Sequence, residues 1–267
     1  MDLFWWQSND GMYNLGDEIT RPIFEELFDC HVSRSSYPAA DVISTGSILG
    51  WAFERDDLKA RKKKMVVMGS GFMHPWVPVE KREWLDIKLV RGYLTKNLLS
   101  RVFPDDILVG DPGLLVSYLD VGDVEKKYKY GVIPHISSFD KIVSGDEFSF
   151  LGDVLYIDFR TDDYRSVLRK MKQCEFIISQ GLHGLIFSDS MGIPNVWLDQ
   201  GRLHSGGEFK FFDYFSSINR SFDKKVGRYL SRQGVDNNLF CADREAVGVC
   251  KENIYVAMKD YFKSCEG

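Results

Sequence analysis

Ile177-Ile178-Ser179-Gln180-Gly181-Leu182-His183-Gly184-Leu185-Ile186-Phe187-Ser188-Asp189-Ser190-Met191-Gly192-Ile193-Pro194 is the stretch that decides the fold. A short apolar run ends in a polar turn. An apolar helical segment follows, and Gly-Ile-Pro breaks it before the next apolar run at 195–198. Strand, helix and strand in this order are the alternation of an α/β protein. His183 then stands in the first turn of a helix, just past the carboxyl end of a strand. Ligands of open α/β sheets bind in the crevice at that end. A helix N-terminus offers an anion free N–H groups and a positive dipole end. An imidazole there suits acid–base chemistry on a phosphorylated substrate.

The same alternation extends outward from this stretch. Residues 3–7, 41–45, 64–68, 87–91 and 108–109 read as strands, with helices over about 17–28 and 93–102. A second set of strands falls at 129–134, 154–159, 175–179 and 195–198. Thr161-Asp162-Asp163 can cap a helix that carries Tyr164, Val167, Leu168 and Met171. A helix over about 243–264 turns Val247, Ile254, Met258 and Phe262 inward. The charged, weakly patterned segment 120–129 marks a boundary between domains of 1–122 and 123–267. The expected architecture is α/β, with two Rossmann-like doubly wound domains facing a cleft and C-terminal helices able to return to the first.

A length of 267 residues is comfortable for two modest domains. Acidic residues (39) outnumber basic ones (34), so a nucleic-acid partner is not expected. The five cysteines are widely spaced with no C-x-x-C pair, which reads as reduced thiols of a cytosolic protein. The start, Met1-Asp2-Leu3-Phe4-Trp5-Trp6, lacks the pattern of a signal peptide, and no apolar run is long enough to span a bilayer. A cytoplasmic protein is expected, peripheral at most to the inner membrane face. The Arg61-Lys62-Lys63-Lys64 run reads as a solvated patch, with an anionic membrane surface as its minority reading.

Four turns after apolar runs are rich in Gly, Ser, Asn and Asp: Asn14-Leu15-Gly16-Asp17, Thr45-Gly46-Ser47, Gly69-Ser70-Gly71 and Gly110-Asp111-Pro112. Glycine lets backbone N–H groups approach an oxyanion. Each turn alone is ordinary turn chemistry, and Asp17 reads first as a helix cap. Together they outline a polar crevice. Of the histidines, His183 opens a helix just past a strand, His135 ends a strand, and His74 lies between Met73 and Pro75; His31 and His204 have no comparable setting. A lone histidine is more often structural than catalytic, and that favours a structural role for His74. Arg91 follows a strand and could grip a phosphate or carboxylate, or be a surface charge. The aromatic stretch from Gly206 to Phe215 around Lys210 is either a sugar-binding loop and helix or core packing. No metal-ligand spacing is present, so no metal is expected. Neither Ser179 nor Ser188 sits in a nucleophile elbow.

Taken in order, Asn14-Leu15-Gly16-Asp17, Gly46-Ser47-Ile48-Leu49, Gly69-Ser70-Gly71-Phe72, Val90-Arg91-Gly92-Tyr93, Gly110-Asp111-Pro112-Gly113, Gly131-Val132-Ile133-Pro134-His135 and the Ser179–Pro194 block resemble the polysaccharide pyruvyl transferase family. The likeness is nearest to members acting on exopolysaccharides such as succinoglycan. It implies a GT-B-like fold, phosphoenolpyruvate as donor and co-substrate with no other cofactor, and a saccharide acceptor, free or lipid-linked. The implied product is a pyruvate ketal with release of phosphate. Many relatives carry an Arg-x-His pair whose Arg holds the donor. His183 matches its histidine, but Gly181 occupies the arginine position. Lys210, Arg202 and Arg220 are candidates to replace that cation, Lys210 first.

The resulting expectation makes His183 the general acid and gives His135 the acceptor, to position or deprotonate. It assigns the donor to Arg91, Lys210, Ser179, Gly69, Ser70 and Gly71, and the acceptor or cleft to Asn14, Gly16, Asp17 and His74. The alternatives are a GT-B-type glycosyltransferase using a nucleotide sugar, and a non-catalytic saccharide-binding relative.

Overall fold

The computed structural model describes residues 1–8, 10–58, 60–199, 207–222, 225–226 and 231–265. Strands β1 (Asp2–Phe4), β2 (Ser33–Arg34), β3 (Val42–Ile43), β4 (Met65–Met68), β5 (Leu85–Val90) and β6 (Leu108–Val109) form one parallel sheet in the order β2-β1-β3-β4-β5-β6. Strands β7 (Tyr128–Ile133), β8 (Val154–Tyr156), β9 (Cys174–Ser179), β10 (Asn195–Leu198) and β11 (Lys225–Val226) form a second, also parallel, in the order β11-β10-β9-β7-β8. The winding is the same in both. The second strand flanks the first on one side and the third flanks it on the other, so the order reverses between β1 and β3 and again between β7 and β9. Such reversals open the crevice in which doubly wound sheets bind ligands.

The helices are α1 (Leu15–Glu18), α2 (Thr20–Leu27), α3 (Trp51–Glu54), α4 (Tyr93–Leu99), α5 (Phe139–Ser144), α6 (Tyr164–Lys172), α7 (Leu182–Met191), α8 (Phe209–Ser217), α9 (Arg232–Asp236) and α10 (Arg244–Cys265). On α6 the Asp163 carboxylate accepts from Ser166 N at 3.0 Å, and the buried residues are the expected Tyr164, Val167, Leu168 and Met171. The helix expected over 17–28 is instead two. Pro22 has no N–H to give the Glu18 carbonyl, so the ladder breaks at Ile19 and restarts in α2. The strand expected over 41–45 shortens to Val42–Ile43 because the next groups bond elsewhere. Ser44 Oγ donates to Met68 O at 2.7 Å and Thr45 Oγ1 to Asp17 O at 2.8 Å.

Alternate residues of β4 face opposite cores. Met65 and Val67 pack with Ile43, Ile87 and Val90, while Val66 and Met68 pack with Leu3, Val42 and Leu89. Both faces of the sheet are therefore covered, as a parallel sheet requires. The second of these cores continues through α2, α7, α8 and α10 to Ile133, Ile177 and Trp197 of the second sheet. α10 packs on the first sheet: Asn253 Nδ2 donates to Val109 O at 3.0 Å, and Ile254 is fully buried. Among the described residues no helix is long and apolar enough to cross a membrane.

Candidate functional site

A cavity of about 430 Å³ lies where the two strand-order reversals face each other. The exits of β1 and β3 bring Asn14, Asp17, Gly46 and Ser47 to it, and the exits of β7 and β9 bring His135, Gly181, Leu182 and His183. α8 adds Lys210, α3 adds Trp51 and Glu54, and the segment after β4 adds His74.

His183 lies in the first turn of α7, whose N-cap is Gly181 with no side chain capping the helix. Gly181, Leu182, His183 and Gly184 of that turn line the cavity, and the first N–H groups of a helix are a ready site for an anion. Glycine is required at position 16: a Cβ there would stand 2.2 Å from His183 Nδ1. His183 Nε2 is buried and has no hydrogen-bond partner among the described residues. Burial, reinforced by Lys210 and Arg91, holds the imidazole down at about 3. The neutral imidazole is therefore the favoured form at pH 7, one that can take up a proton, rather than the charged general acid expected from the sequence.

Asp17 and Lys210 carry protons near neutrality. Burial raises Asp17 to about 7 against the pull of Lys210, and lowers Lys210 to about 8 against the pull of Asp17. Asp17 Oδ2 accepts from Asn14 Nδ2 at 2.6 Å. Asp17 is not the helix cap that the sequence suggests: Asn14 is the N-cap of α1, and the Asp17 side chain turns into the cavity.

Arg91 is fully buried and outside the cavity lining. Its Nε donates to Asp213 Oδ2 at 2.9 Å, one terminal nitrogen to Ser47 Oγ and the other to Phe72 O, each at 2.6 Å. Asp213 also accepts from Thr95 N at 2.8 Å and Thr95 Oγ1 at 2.7 Å. The expected donor-binding arginine is therefore a latch between β5, α4 and α8.

The Gly69–Gly71 turn is likewise used internally. Gly69 N donates to Leu89 O, while Ser70 Oγ and Gly71 N both donate to Gly46 O. Ser179 braces its own turn, donating to Gly181 O at 2.8 Å and accepting from Gly181 N at 3.1 Å. None of these four lines the cavity. Arg220 is buried elsewhere, donating to Asn195 Oδ1 at 2.7 Å and lying over Phe215 and Phe240. Arg202, His204 and Gly206 fall outside the described residues. Of the two replacement cations among the described residues, Lys210 lines the cavity and Arg220 does not.

His135 lines the cavity with Nδ1 2.8 Å from Ser137 Oγ. Its backbone N donates to Gln180 Oε1 at 2.9 Å, and Ser138 Oγ donates to the same oxygen at 2.8 Å. The sequence reading passed over Gln180, Trp51 and Glu54. The last two could have been found from their i, i+3 spacing just after a glycine turn at a strand exit. His74 Nε2 lies 3.3 Å from Glu54 Oε1. Among the described residues no group of three or more His, Cys, Asp or Glu side chains is placed to hold a metal.

Residues 3–202 match the family model of polysaccharide pyruvyl transferase. An uncharacterized protein of Acanthamoeba polyphaga mimivirus is 34% identical over 161 residues, 58% of this chain and 55% of the relative. The succinoglycan biosynthesis protein ExoV of Rhizobium meliloti is 29% identical over 224 residues, 82% of this chain and 65% of the relative. The chain thus spans between 55% and 65% of the lengths of these curated relatives. Every cavity residue named above except Lys210 lies inside the interval 3–202.

Proposed function

The chain belongs to the polysaccharide pyruvyl transferase family, and from that premise we propose that it moves the enolpyruvyl group of phosphoenolpyruvate onto two hydroxyls of a saccharide. The product is a pyruvate ketal, the leaving group is phosphate, and the setting is surface or exopolysaccharide biosynthesis. A GT-B-like pairing of the two parallel sheets is part of that proposal. One observation carries the reading: Lys210, the start of α7 and His183, whose Nε2 has no partner among the described residues, meet in one cavity. That is a cradle for a small, highly charged anion.

The proton inventory assigns the roles. Asp17, protonated in part at neutral pH, gives its proton to the methylene carbon of the donor, leaving an oxocarbenium-like centre. The first saccharide hydroxyl attacks that centre and passes its proton to neutral His183. The second hydroxyl then attacks the same carbon as the C–O bond to phosphate breaks. Its proton restores Asp17, and the imidazolium returns its own to the departing phosphate. One proton ends on the new methyl group and one on phosphate, so both side chains finish as they began. Lys210 and the α7 N–H groups hold the negative charge throughout. His135 lies beside the path of the acceptor.

Thermal-shift measurements test the reading, because a ligand of the folded state raises its stability. Phosphoenolpyruvate should raise the melting temperature, and UDP or UDP-sugars should leave it unchanged. The reverse pattern would mark a nucleotide-sugar glycosyltransferase. Phosphoenolpyruvate binding without phosphate release in the presence of any saccharide would mark a non-catalytic relative.

A further inference from the structure

The part of the cavity built by α3 and the segment after β4 presents a carboxyl group, that of Glu54. Glu54 Oε1 pairs with His74 Nε2 at 3.3 Å. The His74 ring lies flat on Trp76, with centroids 4.9 Å apart and planes 11° from parallel. His74 Nδ1 is buried without a partner, so Glu54 is the one polar tie of that imidazole among the described residues. Glu54 Oε2 stands over the bare Cα of Gly50, 3.4 Å from where a Cβ would sit, and no described residue donates to it. Trp51, also in the wall, is held edge-on to Tyr37 with ring centroids 5.3 Å apart and tilted against Phe4 at 5.7 Å. Asp17 and Lys210 act on each other, and Lys210 and Arg91 act on His183. Glu54 comes from α3 and His74 from the segment after β4, whereas Asp17, His183 and Lys210 come from α1, α7 and α8.

The chemistry of this wall fits a neutral sugar. A fixed carboxylate accepts from ring hydroxyls, and an immobile indole offers a face to the apolar side of a pyranose. The same carboxylate repels a phosphorylated carboxylate, which keeps the donor at the Lys210 side. We propose that Glu54 recognises the acceptor, taking hydrogen bonds from hydroxyls of a neutral saccharide other than the reacting pair. His74 is its positioning residue and Trp51 its stacking surface. The inference rests on the pyruvyl-transfer reading for which hydroxyls react, and stands apart from it for recognition.

Two readouts separate those claims. Saturation-transfer NMR follows binding of methyl galactoside, methyl glucoside and methyl mannoside with no donor present. Phosphate release from phosphoenolpyruvate gives the KM of the best of them. Glu54→Gln should weaken glycoside binding and raise acceptor KM about tenfold or more, while the KM and the thermal shift of phosphoenolpyruvate stay at wild-type values. Glu54→Lys should reverse the preference for methyl glucoside over methyl glucuronide. His74→Ala should repeat the Glu54→Gln effect, and His74→Gln, which keeps an N–H donor, should restore part of it. Wild-type glycoside binding by Glu54→Gln, a matching loss of the phosphoenolpyruvate shift, or no glycoside binding by the wild-type protein would each overturn the assignment. Glycoside binding that depends on Glu54, without phosphate release, would uphold it and overturn pyruvyl transfer instead.

Discussion

The two sheets wind alike, yet the walls they give the cavity differ in kind. At the exit of β9 the chain enters α7, a helix of ten residues, at once. Its uncapped first turn and the nearby Lys210 make that wall electropositive. At the exits of β1 and β3 the helices α1 and α3 have four residues each. They have too few peptide units to build much of a dipole, and side chains set the character of that wall: Asn14, Asp17, Trp51 and Glu54. One topology therefore offers an anion a backbone cradle on one side and offers a polyol a side-chain surface on the other. Asp17 is the exception, a residue of the first wall whose charge is set chiefly by burial and by Lys210 across the cavity.

The sharpest way to break this comparison is at that exception. Asp17→Asn should lower kcat by about 10²–10⁴-fold, the usual range for a lost proton donor. In the wild type the rate should fall as pH rises through about 7, where Asp17 loses its proton. That limb should be missing from the variant, and a pH–rate profile reads both effects. Next in size is the latch that ties the walls together. Arg91→Met or Asp213→Asn alone should cost about 3–5 kcal/mol in urea unfolding, because each leaves a buried charge unpaired. Replacing both residues by apolar ones should cost less than either single change.

Lys210→Met should then reduce kcat/KM for phosphoenolpyruvate by about 10²–10³-fold and abolish its thermal shift, with glycoside binding retained. An equal loss at both walls would erase the distinction between them. The smallest effect is on stability. His183 is held near 3, below its ordinary 6.5, so its neutral form stabilises the fold above pH 6.5. That contribution is lost as pH falls from 6.5 toward 3, at about 1.4 kcal/mol per pH unit. Urea unfolding of wild type and His183→Gln at pH 5.5 and 4.5 should differ by about that increment.

The strands and most of the helices were legible because buried parallel strands and amphipathic helices leave periodic traces. α6 shows the four inward residues that its spacing implies, and the Ser179–Pro194 stretch folds as strand, turn and helix. Much of the site was not legible, for physical reasons that differ by residue. The partner of Arg91 is Asp213, 122 residues away, and nothing local distinguishes an arginine that meets a ligand from one that meets an aspartate. Ser179 and the Gly69–Gly71 turn have the composition of an anion cradle, but their hydrogen bonds close on nearby backbone. The proton affinity of Asp17 depends on how deeply it is buried, which composition does not encode. Glu54 went unread because its i, i+3 spacing from Trp51 is a weak signal, and the His74 contact that marks it comes from another segment.

Lys210 and Asp213 sit three residues apart on α8, less than one helical turn. The helix is stiff over so short a span, so any play at the Arg91 joint reaches the ammonium almost undiminished. The joint between the sheets and the alignment of the donor's counter-charge share one mechanical part. On warming, loosening of that joint would blur the donor cradle before the fold gives way, and grip on the donor would serve as a gauge of how tightly the two sheets are held.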